Sequence, residues 1–199
     1  MQNRQYLERP TKEAMRGLPE FDGLPLGKIL LVRTAADARF AHSEICKSIH
    51  VGFDIESKPS FVAGQPRTGP HVLQLSTQQQ AFLFRPGNTI CDEILAEIIQ
   101  SKTIIKVGFG LSSDRAPIQR KLGVKLRSAI ELSVLVHRLG YRPRVGLQSA
   151  VSIVLNQYLQ KSKKLTLSNW NAKLLSARQI LYAANDAYAS LQVYSKLTR

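Results

Sequence analysis

The segment that most restricts how this chain folds is His50–Glu56, which reads HVGFDIE. Its residues alternate with a period of two, so Val51, Phe53 and Ile55 fall on one side and Gly52, Asp54 and Glu56 on the other. That pattern specifies a strand with one face committed to an apolar core. It also sets two carboxylates side by side at the strand's C-terminal end. Like charges this close repel unless a cation lies between them or one stays protonated. A solvated strand end accommodates them as well, so a single Asp-x-Glu decides nothing alone.

The flanking sequence supplies partners for such a strand. Residues 28–33 (KILLVR) read as a short strand, and Thr34 caps a helix predicted over 35–48. After a loop rich in Pro, Gly and Ser, residues 71–76 and 80–84 form a predicted hairpin across 77–79. A helix is predicted over 89–100 and a strand over 103–107, followed by helices near 113–122, 129–139, 147–159 and 176–197. The last opens on a capping box, Ser176 with Gln179, and contains no Gly or Pro. Strands first and consecutive helices later predict one α/β domain with a mixed sheet, residues 28–199, preceded by an irregular arm, residues 1–27.

Charge narrows the partner. The chain of 199 residues carries 28 Lys and Arg against 14 Asp and Glu, a net charge of +14. Twelve of those net charges lie between Gln100 and Leu175, where Asp114 and Glu131 are the only acids. Such an excess favours a polyanion: nucleic acid, an anionic membrane surface or phosphorylated ligands. Cys46 and Cys91 form no Cys-x-x-Cys, which argues against a disulfide framework or a Cys-type zinc site. No stretch is apolar over the ~20 residues of a membrane span. The N-terminal residues lack a hydrophobic signal core, so the expected compartment is the cytoplasm.

Two further constellations concern the scarce acids. In LYAANDAYA, Tyr182 and Asp186 stand at i and i+4 on one helix face. Tyr182 also suits a core position with its hydroxyl at the rim. Asp186, set among alanines, needs a partner, either a basic residue or a metal. In KVGFGLSSDRAPI a strand ends at Lys106–Val107, Gly108 and Gly110 permit a tight turn, and Asp114 enters the first turn of the next helix. The dinucleotide fingerprint G-x-G-x-x-G fails here, because Ser113 stands where its third glycine belongs.

Taken together, DIE at 54–56, the KVG turn leading to Asp114, and YAAND at 182–186 resemble the three motifs of the DEDD superfamily of 3′–5′ exonucleases. The Tyr182-x-x-x-Asp186 spacing is similar to that of the tyrosine subgroup, DEDDy, which includes ribonuclease D and the exonuclease domain of the Werner syndrome helicase. LSNW at 167–170 and LYAANDAYA look like the Werner-type branch in particular. The resemblance extends from about Lys28 to Leu197.

The resemblance implies a ribonuclease H-like fold in which Asp54, Glu56, Asp114 and Asp186 converge on two divalent cations, Mg²⁺ or Mn²⁺. Two such ions about 4 Å apart activate water and stabilise charge on the attacked phosphate and the departing 3′ oxygen. By the same analogy Asp54 bridges both ions, Glu56 and Asp186 complete the nucleophile-side site, Asp114 holds the leaving-group side, and Tyr182 orients the water. The implied activity is release of nucleoside 5′-monophosphates from the 3′ end of nucleic acid, DNA slightly ahead of RNA or short oligonucleotides. Arg142, Arg144, Lys161, Lys163 and Lys164 are candidate phosphate contacts. Trp170 is a candidate for base stacking, set against a structural place at the helix entry. The four histidines show no ligand spacing. Ser113-Asp114-Arg115-Ala116-Pro117 departs from the family's usual surroundings for the third acid. With no helicase, polymerase or further binding appendage in the sequence, grip on the substrate is expected from this domain, a partner or self-association. The competing class is a binding module of the same fold without catalysis; binding to membranes or acidic proteins explains the charge but not the motifs.

Overall fold

HVGFDIE forms β2 (His50–Glu56), an inner strand of a six-stranded sheet in the computed structural model, which describes residues 6–60 and 68–199. The other strands are β1 (Ile29–Val32), β3 (Val72–Ser76), β4 (Ala81–Phe84), β5 (Ile105–Gly108) and β6 (Ala129–Glu131), in the order β1-β4-β3-β2-β5-β6. β3 is antiparallel to β2 and β4, whereas β5 runs parallel to β2 and β6. The predicted mixed sheet is therefore present, in a ribonuclease H-like arrangement.

Alternation along the strands sorts the two faces. Val51, Phe53, Leu73, Leu75, Phe82 and Phe84 form a buried cluster with Ala38, Ala41 and Ile45 of α2 (Ala35–Cys46) and Leu95, Ile98 and Ile99 of α3 (Thr89–Gln100). α4 (Leu111–Leu122) adds Leu111 and Ile118 to this layer. On the opposite face lies α8 (Ala177–Leu197), the longest helix among the described residues, beside α6 (Leu147–Leu155) and α5 (Leu132–Arg138). Thr34 and Ser176 both make the reciprocal capping box at their helices. Gly52 matters on the α8 face: a Cβ there would run into the carbonyl oxygen of Ala187, so α8 can lie this close only over glycine.

Several expectations change. Residues 129–131 are the edge strand β6 rather than a helix start, because pairing with β5 overrides local helical spacing. Glu131 ends that strand by accepting the Ser133 N–H at the start of α5. α6 stops at Leu155, where Asn156 turns left-handed at φ 54°. A short helix, α7 (Lys163–Thr166), follows with Ser162 as its cap. The expected irregular arm holds a five-residue helix, α1 (Lys12–Arg16), and is bonded down at several points. Phe21 donates to Tyr158, Tyr158 to Pro19, and the Asn185 side chain clasps both backbone groups of Leu24. Residues 1–5 of that arm and 61–67 of the Pro, Gly and Ser-rich loop lie outside the described residues.

Lys106 belongs to the basic stretch but is closed to a polyanion. Its ammonium is fully buried and donates to the carbonyls of Ile98, Ser101 and Ile104 at 3.2, 3.0 and 2.8 Å. It closes the C-terminal end of α3 from the neighbouring strand, and burial lowers its pKa to about 8.

Candidate active site

β2 delivers Asp54 and Glu56 to the α8 face because they share Gly52's side of the strand. α8 crosses that face and adds Tyr182 and Asp186, one turn apart. A carboxylate oxygen of Asp54, one of Glu56 and one of Asp186 all lie within 4.8 Å of each other. Asp186 is 3% exposed and Glu56 9%. Asp114 comes from the first turn of α4 and lies outside this triplet, yet its charge acts on both Asp54 and Glu56. Its Oδ2 is buried without a hydrogen-bond partner.

Glu56 and Asp186 are buried and Asp54 is partly so, and the carboxyls respond accordingly. Burial, and then Asp54 and Asp186, push Glu56 up to about 9. Burial and the charge of Asp186 raise Asp54, against the pull of Lys161. Burial raises Asp186 too, opposed by Lys161 and Tyr182. Asp114 rises to about 7 through burial and then Glu131. Tyr182 is raised above its ordinary value by burial and the Asp186 charge, and its hydroxyl lies 3.0 Å from Thr166 Oγ1. A phenol in this state remains protonated at neutral pH.

The alternatives for Asp186, a basic partner or a metal, meet in one place. The Lys161 ammonium pairs with Asp186 and sits 5.2 Å over the Tyr182 ring. The donors are otherwise oxygen, the set suited to hard divalent ions, and the orphaned Asp114 Oδ2 is the kind of atom such an ion satisfies. The residues present therefore fit a divalent metal.

An open cleft of about 1010 Å³ adjoins Tyr182 and Asp186, walled by Phe21 of the arm, Gln160, Lys164 and Asn169. Lys164 thus lines it and Lys163 is exposed on α7, whereas Lys161 points into the carboxylates. Arg142 and Arg144 are exposed on the loop between α5 and α6, and Arg142 stacks 4.5 Å over Tyr6. Trp170 is fully buried, its ring 6.0 Å from that of Tyr182. With no free face it cannot stack on a base, and the structural place at the helix entry is the one it takes.

Sequence reasoning missed Glu131, which braces the site, and Gln74, which lies beside it. Glu131 accepts the N–H groups of Gly110 at 3.1 Å and Leu111 at 2.8 Å, fixing the start of the helix that carries Asp114. Its scarcity among basic residues was the available signal. Gln74, cross-strand from Asp54, is fully buried with neither amide atom bonded. It stood out only as the one amide in VLQLS.

The sequence model of the 3′–5′ exonuclease domain matches residues 31–199. The mouse bifunctional 3′–5′ exonuclease/ATP-dependent helicase WRN is 33% identical over 187 residues, 88% of this chain and 13% of the mouse protein. An Arabidopsis thaliana 3′–5′ exonuclease is 28% identical over 186 residues, 86% of this chain and 64% of its own length. The chain thus spans less than two thirds of either relative. In fold, it superposes on Escherichia coli RNase D, an exoribonuclease involved in structured RNA processing, with a TM-score of 0.73 at 21% identity, covering 85% of this chain and 44% of that one.

Proposed function

The chain belongs to the 3′–5′ exonuclease family, and from that premise we propose that it is a divalent-metal-dependent hydrolase acting at the 3′ end of nucleic acid and releasing nucleoside 5′-monophosphates. The convergence of Asp54, Glu56 and Asp186 beside a cleft is the observation that carries this reading. Residues 28–199 form the exonuclease domain in this proposal, and 1–27 its arm.

Asp54, Glu56 and Asp186 would hold one Mg²⁺ or Mn²⁺, and Asp54 with Asp114 a second. Such ions supply a nucleophile at neutral pH and stabilise the negative charge of an in-line displacement. The protein's own groups do the rest. Tyr182, kept protonated, positions the attacking water by hydrogen bonding and does not serve as its base. Thr166 holds that hydroxyl in place. The water oxygen bonds to phosphorus as the bond to the 3′ oxygen breaks; the water gives up one proton to solvent and the departing 3′ oxygen takes one up, leaving a 3′-hydroxyl on the shortened strand. Lys163 and Lys164 neutralise backbone phosphates without reading bases. The likeness of LSNW and LYAANDAYA to the Werner-type branch supports DNA, slightly ahead of RNA or short oligonucleotides, as substrate.

The test is a cleavage assay on 3′-recessed duplex DNA, single-stranded DNA, RNA and dinucleotides with Mg²⁺, Mn²⁺ or EDTA. Shortening from the 3′ end that EDTA stops, and that Asp54→Ala or Asp186→Ala abolishes in a folded protein, is the expected result. Near-normal cleavage by either variant overturns the assignment. Binding without cleavage of any substrate leaves the non-catalytic binding module.

A further inference from the structure

We propose that Lys161 is a tethered cation that competes with divalent metal for the carboxylate cluster, so that metal enters only as the Lys161 ammonium leaves Asp186. This rests on the metal-dependent reading above and concerns how that site is loaded.

Among the described residues, three side-chain ion pairs are found, and only Lys161–Asp186 engages the carboxylate cluster. The two partners differ sharply in exposure: the Asp186 side chain is 3% exposed and that of Lys161 29%. The acid is thus fixed in the interior while the lysine reaches in from outside. The ammonium also faces the Tyr182 ring and acts on the charges of Asp54 and Glu56. An ammonium and a divalent ion cannot share the Asp186 carboxylate at contact distance without strong repulsion in a buried site.

The backbone identifies which part moves. Lys161 lies between α6 and α7, and Tyr158, three residues earlier, is pinned by hydrogen bonds to Pro19 and Phe21 of the arm. Ser162, one residue later, is fixed as the cap of α7. The main chain is therefore held on both sides, and the four-carbon stem is the free element. Gln160, Ser162 and Lys164 line the adjoining cleft, which provides space for the ammonium to withdraw. Exchange of lysine for metal then needs rotamer changes alone. The device makes apparent metal affinity weaker than four bare carboxylates would give.

Calorimetric titration of MnCl₂ into the full chain at fixed pH and ionic strength tests this. Lys161→Met keeps an unbranched apolar stem of similar length but removes the ammonium and its charge. It should bind Mn²⁺ at least about tenfold more tightly than wild type, within the usual range of coupling between sites. Lys161→Arg, which retains a cation, should stay near the wild-type affinity. Lys164→Met, which removes a charge from the same cleft without touching the carboxylates, should shift affinity by less than about threefold, since exposed charges are screened. Unchanged or weaker Mn²⁺ binding by Lys161→Met overturns the proposal, as does an equal gain in Lys164→Met. Lys161→Gln repeats the measurement should the Met variant fail to fold. If folded wild type and Lys161→Met both bind no Mn²⁺, the metal-dependent reading itself falls. Binding by both with equal affinity removes only the tethered cation.

Discussion

Glu56→Gln isolates the electrostatic cost that the site places on the metal-free protein. Glu56 is 9% exposed, and burial together with Asp54 and Asp186 raises its pKa from 4.5 to about 9. At pH 7 the native side chain keeps a proton that the unfolded chain has released. The folded state thus binds more protons, and stability falls as pH rises from about 4.5 to about 9. Between 4.5 and 7 that amounts to two and a half pH units at 1.36 kcal/mol each, about 3 kcal/mol. Glutamine has nearly the same shape and never ionises, so the variant escapes this loss. Urea unfolding in EDTA should find Glu56→Gln more stable than wild type by about 3 kcal/mol at pH 7. The gain should shrink to about zero at pH 4.5 and keep growing with pH up to about pH 9. Saturating Mn²⁺ should reverse the order, because wild type alone then recovers the energy of a full ligand set. A variant less stable than wild type at pH 7, or a gain that does not change with pH, would refute the reasoning.

Three further outcomes follow from the geometry. Gly52→Ala drives a methyl into the Ala187 carbonyl, so a loss of at least about 3 kcal/mol is expected in urea unfolding; a wild-type midpoint would mean that α8 can lift away freely. Trp170→Ala should cost about 3–5 kcal/mol as a buried large-to-small change. Unchanged stability with a raised KM would restore its candidacy for base stacking. Tyr182→Phe should slow cleavage by about 100-fold at unchanged Mn²⁺ affinity, and by the same factor from pH 6 to 9, since the native hydroxyl stays protonated throughout.

Legibility in the sequence followed the range of the interaction. Asp54 with Glu56, and Tyr182 with Asp186, were legible as pairs sharing a face because strand alternation and i,i+4 spacing are local rules, whereas joining them to Asp114 took the family resemblance. α3 was predicted over the residues it occupies, with Asn88 capping it. Ala129–Glu131 was not, since three residues become a strand only where β5 offers an edge. Lys161 and Lys163 stand two apart in a run of similar lysines, yet one pairs with Asp186 and the other faces solvent. Nothing within the run separates them; the arm's hold on Tyr158 and the position of α8 do. Trp170 was readable only as a choice between two roles, and complete burial decided it.

The same geometry explains why the acidic cluster persists at all. β2 is paired with β5 over His50–Gly52 and with β3 over Gly52–Glu56, so the strand that carries Asp54 and Glu56 is anchored and cannot shift to relieve their repulsion. α8 meets that strand over Gly52 and packs Ala183 and Ala184 beside Val72, small residues that leave the helix little room to shift. With backbone relaxation closed off, the carboxylates have two means of relief: retain protons or take a cation. Glu56, held protonated near neutrality, uses the first, and Asp186 with Lys161 uses the second. A frame that holds Asp54, Glu56 and Asp186 together, while apolar clusters on both faces carry the stability, suits the proposed exchange of lysine for metal.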